Sequence, residues 1–157
     1  MVEPNSSYIK ESPHTSIGDM ATFYVHAVFY YIPWIAVLFL IFSISSQPAD
    51  TLPHFQNNVI DKVAHIVEYS ILGLCTVRIL NLWLNRKTRN LSNRFLPLFL
   101  CAFLFVAAFG LFDEIHQIYV EGRTFDCIDL IMDIIGATLI IIAYRLFSGT
   151  RLGIYFV

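Results

Sequence analysis

The chain has 157 residues, of which 57% are hydrophobic and only 14% are charged, and its mean hydropathy is +0.64. A soluble domain carries about a quarter charged residues, so the composition excludes an ordinary soluble protein and indicates a single integral membrane domain. The sequence has no phosphate-binding glycine loop and no basic patch suited to nucleic acid, and its net charge of −2 favours no particular partner.

The N-terminal segment and the first membrane crossing differ in polarity. Residues 1–19 are polar and lack the basic and then apolar pattern of a signal peptide, so we expect a flexible tail over residues 1–24. Ala27–Ser46 is then long and apolar enough to cross a bilayer, which takes roughly 20 residues. Pro33 lies in the first third of this segment and predicts a kink or a late start of the helix.

Three further apolar segments are long enough to cross the membrane. They are too long for the strands of a membrane barrel and do not alternate between polar and apolar residues. Together with the first segment they predict an all-α, integral membrane four-helix bundle over residues 25–148, followed by a tail at 149–157. The three segments are Val63–Leu84, Phe95 to about Val120, and about Asp126 to Phe147.

The distribution of Lys and Arg predicts how the bundle is oriented in the cell membrane. Cytoplasmic loops carry an excess of these residues, and here eight lie on one side and two on the other. Both termini are therefore expected in the cytoplasm, with the loops Gln47–Lys62 and Glu121–Phe125 facing outward. The eight are Lys10, Arg78, Arg86, Lys87, Arg89, Arg94, Arg145 and Arg151, and the two are Lys62 and Arg123.

Ionisable and amide side chains recur near the outer ends of the last three predicted helices. A rise of 1.5 Å per residue puts most of them ~4 to 10 Å deep, and on each helix they share a face. A charge facing lipid costs at least ~2.5–3.5 kcal/mol, so these residues are expected to face the bundle interior. A network with a purely structural role would cost stability, and we therefore predict a polar pocket. The set is Asp61, His65 and Glu68, then Asp113, Glu114, His116 and Gln117, then Asp126, Asp129 and Asp133.

Four small residues lie beside this predicted pocket. Gly110 and Gly136 adjoin the polar faces of their helices, and ordinary close packing is the interpretation we favour for both. Ser45 and Ser46 lie at the outer end of the first helix. They either cap the pocket or merely end the helix, and we favour the second.

Four stretches of the chain resemble the successive motifs of the VanZ-like membrane proteins. They read SSQPAD, DKVAHIVEYSILG, DEIHQIYVEGR and DLIMDIIGA, within roughly Ser45–Ala143. That family is a four-helix membrane fold whose founding member is associated with low-level resistance to the glycopeptide teicoplanin. Members often carry Pro before the Gly-Arg pair, where this chain has Glu121. The resemblance implies the functional set Lys62, His65, Glu68, Tyr69, Asp113, Glu114, His116, Gln117, Arg123, Asp129 and Asp133.

The first functional hypothesis is a pocket that binds an amphiphilic or lipid-linked cell-envelope molecule, or the glycopeptide itself. Arg123 and Lys62 would hold a phosphate or carboxylate, for which the guanidinium fork is well suited. A salt bridge from Arg123 to Asp126 or Asp129 is an equally good interpretation of that residue. The candidate ligand-binding residues are Lys62, Tyr69, Gln117, Arg123, Asp129 and Asp133.

The second hypothesis is a membrane hydrolase or transferase, either metal-dependent or working by acid–base chemistry. His65-x-x-Glu68 and Asp113-x-x-His116 have the i, i+3 spacing with which helical bundles present metal ligands, and Zn²⁺, Mn²⁺ or iron would suit them. Without a metal, His116 would work with Asp113 or Glu114. A proton-coupled transporter is the third alternative. The candidate catalytic residues are His65, Glu68, Asp113, Glu114 and His116.

Overall fold

The structure is a computed structural model that describes residues 17–51, 58–85 and 91–148. Among these residues there is no β-strand, and four helical segments are long and apolar enough to cross a membrane. The predicted all-α, four-helix membrane bundle is confirmed. The helices are α1 (Ile17–His26), α2 (Ile32–Ser45), α3 (Asn58–Asn85), α4 (Leu91–Gln117) and α5 (Cys127–Phe147), and a π-helical turn, Ala27–Tyr31, joins α1 to α2.

The beginning of the first crossing differs from the prediction. Residues 17–24, assigned to the tail, are helical and lead through the π-helical turn into α2. Pro33 occupies the first turn of α2. Proline removes a backbone donor and clashes with the carbonyl four residues earlier, here Phe29, which lies in the π-helical turn. The proline thus changes the helix type locally.

The end of the third crossing also differs from the prediction. Helix α4 ends at Gln117, before the predicted Val120, because residues 118–122 form a turn.

Helices α3 and α5 pack backbone against backbone. A Cβ atom on Gly136 would lie only 2.3 Å from the Ile66 carbonyl oxygen, and one on Gly73 would lie 3.1 Å from Ala137 Cα. The Ser70 hydroxyl also donates to the Gly136 carbonyl across this contact, at 3.0 Å. Glycine is needed at these positions because the backbones touch, which confirms the packing interpretation of Gly136.

Two buried apolar clusters fill the bundle, one in its middle and one toward the Asn85 end of α3. The middle cluster includes Tyr69, Leu72 and Ala137. One polar pair lies within the apolar region, where Trp34 Nε1 donates to Thr76 Oγ1 at 3.0 Å. The second cluster consists of Val77, Leu98, Ala102, Ile141 and Tyr144.

The opposite end, here called the polar end, contains residues 46–51, the start of α3, the turn at 118–126 and the start of α5. The Ala49 amide donates to the Glu121 carbonyl at 3.1 Å, which ties the first turn to the second. All of the predicted site residues lie at this end or just beneath it, so the fold brings the polar ends of three helices together.

Candidate functional site

The turn between α4 and α5 closes the polar end. Gly122 adopts a left-handed φ of +74°, and a Cβ there would lie 3.1 Å from Ala49 Cβ. Arg123 follows, with its amide bonded to the Val120 carbonyl at 3.1 Å. The Glu121 backbone carbonyl accepts from the Ala49 amide at 3.1 Å, and a proline at position 121 would offer the same carbonyl. Glu121 in place of proline therefore leaves the hydrogen bond from the Ala49 amide unchanged.

A cavity of about 270 Å³ lies at the polar end, between α2, α3 and this turn. Arg123 lines it, and its buried Nε has no hydrogen-bond partner. Among the described residues Arg123 forms no ion pair, so the salt bridge considered for it is not observed. The lining residues are Ile44, Ser45, Asp61, Ala64, His65, Glu68, Gln117 and Arg123.

Lys62 forms ion pairs with Asp126 and Asp129, the two residues predicted as alternative partners of Arg123. Its ammonium donates to Asp126 Oδ2 at 2.8 Å and to Asp129 Oδ1. Asp126 also caps α5 by accepting from the Ile128 amide at 2.7 Å. The Lys62 ammonium, with this amide, holds the pKa of the Asp126 carboxyl below its usual range. Lys62 therefore joins α3 to α5, and its role in ligand binding stays a prediction.

A buried cluster of His65, Glu114 and Asp133 adjoins the cavity, which His65 also lines. His65 Nδ1 is 2.9 Å from Asp133 Oδ1, and Glu114 Oε2 accepts from the Asp126 amide at 2.9 Å. The exposed fractions of the three residues are 8%, 0% and 1% respectively. One ligand atom from each lies within 4.8 Å of the others. These residues are able to hold a metal ion; Asp61, His65 and Asp129 form a second, less buried group that meets the same distance limit.

Asp113 and His116 face α2. Ser45 Oγ donates to Asp113 Oδ2 at 2.6 Å, and Gln117 Nε2 is 3.4 Å from the same oxygen. His116 Nε2 is 3.1 Å from Ser46 Oγ. The two serines thus belong to the polar network, which the interpretation as a simple helix end missed. The position of two hydroxyl groups at the end of an apolar helix could have indicated a polar contact. Only the packing of α2 on α4 shows that their partners are Asp113 and His116.

Tyr69 is fully buried, and its hydroxyl has no hydrogen-bond partner. A Cβ on Gly110 would lie 3.1 Å from Asp133 Oδ2 and 3.3 Å from Tyr69 Cε1. Gly110 therefore lets α4 approach Tyr69 and Asp133 closely, in agreement with the packing interpretation.

The predicted site residues separate into four neighbouring groups. The structure brings His65 to Asp133 and near Glu114, whereas Glu68 belongs to neither metal-capable group. Within the described residues, His116 has no hydrogen bond to Asp113 or Glu114, and its polar partner is Ser46. His65, Glu68, Gln117 and Arg123 line the cavity, and Tyr69, Glu114 and Asp133 are buried. Lys62 pairs with Asp129, and Asp113 and His116 face α2.

Comparison with known proteins gives one family match. A family model described as VanZ/LLP1 matches residues 16–148, which include all four membrane-spanning segments. Neither a curated protein nor a solved structure matches the chain.

Proposed function

The chain belongs to the VanZ/LLP1 family, and from that premise we propose that its cavity binds the headgroup of an amphiphilic or lipid-linked cell-envelope molecule. The observation that carries the proposal is Arg123, which lines the cavity with a buried Nε that has no partner. A buried donor left without an acceptor costs about 1–3 kcal/mol, and a bound anion would supply the acceptor.

The chemistry of the cavity wall favours a phosphate or carboxylate joined to hydroxyl groups. Arginine binds such anions through two parallel hydrogen bonds. Asp61 and Glu68 also line the cavity and offer acceptors for sugar hydroxyls or amines. Ile44 and Ala64 line it as well, so an apolar chain attached to the headgroup has a path toward the bilayer.

A direct binding experiment tests this proposal. The full chain in lipid nanodiscs is titrated with a polyprenyl phosphate and, in parallel, with the polyprenol that lacks the phosphate. Loss of a charge-assisted hydrogen bond is worth about 1.5–3 kcal/mol, so we expect Arg123→Ala to weaken binding of the phosphate by at least about tenfold. The matched control is Arg145→Ala, which removes an arginine that lies over Phe95, away from the cavity. Equal binding of both lipids, unchanged in Arg123→Ala, would refute the proposal.

We further propose that the polar end faces the outside of the cell, with both termini in the cytoplasm. The excess of Lys and Arg at the other end supports this orientation. Lys10, Arg86, Lys87, Arg89 and Arg151 of that set lie outside the described residues. A Tyr119→Cys variant without the native cysteines provides the test, because Tyr119 is 82% exposed at the polar end. It should react with a membrane-impermeant maleimide in intact cells, whereas Ser148→Cys should react only after the cells are opened.

The proposed biological role is resistance of the teicoplanin type. A protein that holds an envelope lipid or the lipoglycopeptide at the outer surface would change the drug's access to its target. Expression in a teicoplanin-susceptible bacterium should raise the inhibitory concentration, and Arg123→Ala at equal protein level should abolish the rise. No change with the wild-type protein would exclude this role without affecting the binding proposal.

One observation favours an enzyme as the second candidate. His65 lines the cavity and also belongs to the buried group with Glu114 and Asp133 that can hold a metal. A metal there would be positioned to activate water against a phosphoester of the bound headgroup. Release of phosphate from the polyprenyl phosphate, lost in His65→Ala, is the expected signature. Proton-coupled transport stays a prediction, with no specific contact among the described residues to favour it.

A further inference from the structure

We propose that His65, Glu114 and Asp133 form a binding site for one divalent transition-metal ion, of the Zn²⁺ or Mn²⁺ class. The three residues come from α3, α4 and α5, so the ion would join all three helices. This site shares His65 with the cavity wall, but it does not depend on which headgroup, if any, the cavity binds.

Two carboxylate oxygens in the cluster have no hydrogen-bond partner. Glu114 Oε1 and Asp133 Oδ2 are buried without a donor, although each residue uses its other oxygen in a contact of 2.9 Å. Glu114 is 0% exposed and Asp133 is 1% exposed. A buried acceptor without a donor is costly, and a cation between the two carboxylates would satisfy both oxygens.

The charge balance of the three helices is consistent with a cation at this depth. Lys62 pairs with Asp126 and Asp129 near the surface. Among the described residues no Lys or Arg lies within 4.0 Å of Asp133 or Glu114, and the His65 imidazole beside Asp133 carries a charge only when it is protonated. Two carboxylates and a neutral imidazole around a divalent ion give no net charge. Such a cluster avoids the cost of an unpaired charge at membrane depth.

The donor set suits the proposed class of ion. One imidazole nitrogen and two carboxylate oxygens are ligands that Zn²⁺ and Mn²⁺ accept, whereas Mg²⁺ and Ca²⁺ favour oxygen alone. Ligand atoms of one tetrahedral zinc ion lie about 3.4 Å apart, given bonds of about 2.0–2.1 Å. The atoms here lie within 4.8 Å of one another, so small side-chain rotations would complete the site. The Asp126 amide already holds Glu114 in place.

Metal content of the full chain tests the assignment. The detergent-purified protein is loaded with Zn²⁺ or Mn²⁺, washed and measured by elemental mass spectrometry. We expect about one ion per chain in the wild type and less than about a tenth of that in Glu114→Gln and Asp133→Asn. The control is Asp61→Asn, which changes only the less buried group and should keep the ion. A metal-free wild type, or full occupancy in Glu114→Gln, would overturn the proposal, as would loss of the ion in Asp61→Asn alone.

A measurement on the wild type alone guards against variants that fail to fold. A ligand that binds only the folded state raises the thermal midpoint, so Zn²⁺ or Mn²⁺ should raise Tm and a chelator should reverse the shift. Equal Tm with metal and with chelator would overturn the proposal. Arg123→Ala should lose the phosphate lipid and keep the metal. A chain that binds metal but no lipid would therefore refute only the proposed function.

Discussion

Replacing Gly136 by alanine should separate α5 from α3 and disturb the site above the contact. The added Cβ would lie 2.3 Å from the Ile66 carbonyl oxygen, and such contacts are essentially never shorter than 3.0 Å. The obstacle is backbone, so the helices must move apart by at least the difference, about 0.7 Å. Ile66 is next to His65 in the chain, and Gly136 lies one helical turn after Asp133. The His65–Asp133 contact is therefore close to the point of separation.

The magnitude follows from two effects of this movement. The distance from His65 Nδ1 to Asp133 Oδ1, now 2.9 Å, would reach about 3.6 Å, which is too long for a hydrogen bond. Overpacking costs about 1–3 kcal/mol, and a hydrogen bond to a charged group contributes about 1.5–3 kcal/mol. Alanine regains about 1 kcal/mol of helix propensity over glycine. We expect the free energy of unfolding to fall by about 1.5–5 kcal/mol.

The assay is unfolding of the purified protein in mixed micelles with increasing denaturing detergent, followed by circular dichroism. The matched control is Gly110→Ala, because the atoms nearest its added Cβ belong to side chains, with Asp133 Oδ2 at 3.1 Å. Small rotations relieve those contacts, so the control should stay within about 1 kcal/mol of the wild type. The reasoning is refuted if Gly136→Ala unfolds within about 0.5 kcal/mol of the wild type, or if both variants lose the same amount.

Three further predictions use the same unfolding assay. Tyr69→Phe removes a buried hydroxyl that has no partner, so stability should stay the same or rise by up to about 1 kcal/mol; a clear loss would show that the hydroxyl is bonded in solution. Trp34→Phe removes the 3.0 Å hydrogen bond to Thr76 and should cost about 0.5–1.5 kcal/mol, and an unchanged midpoint would contradict this. Asp126→Asn keeps the helix cap but loses the ion pair with Lys62. Because the pKa of Asp126 is lowered in the fold, its stabilising contribution is complete above the ordinary value of 3.8 and is lost as the pH falls through the lower folded value. An acid titration of stability should therefore flatten in this range in Asp126→Asn, and a titration that matches the wild type would contradict the assignment.

The membrane crossings could be predicted from the sequence with errors only at their ends. Bilayer thickness sets how many apolar residues a crossing helix needs. The apolar runs that begin near Ala27, Val63, Phe95 and Asp126 were therefore sufficient to locate the four crossings. The predicted tail extends to residue 24, whereas α1 already begins at Ile17, because the polar character of residues 1–19 does not prevent a helix from extending backward from an apolar segment. The third helix was predicted to reach Val120, but it gives way to a turn after Gln117.

The sequence by itself determined the depth and the face of each polar residue on its own helix. A rise of 1.5 Å and a rotation of about 100° per residue are local properties of the helix, so His65, Asp113 and Asp129 could be placed near one end without tertiary information.

Only the tertiary structure decided which of these residues meet. Lys62, rather than Arg123, pairs with Asp126 and Asp129, and His65 contacts Asp133 rather than joining Glu68 in a metal-capable group. Partners on different helices depend on how closely and at what rotation the helices pack. Here glycines at backbone contacts set the distance between the helices. The spacing of residues within a single helix does not predict that distance.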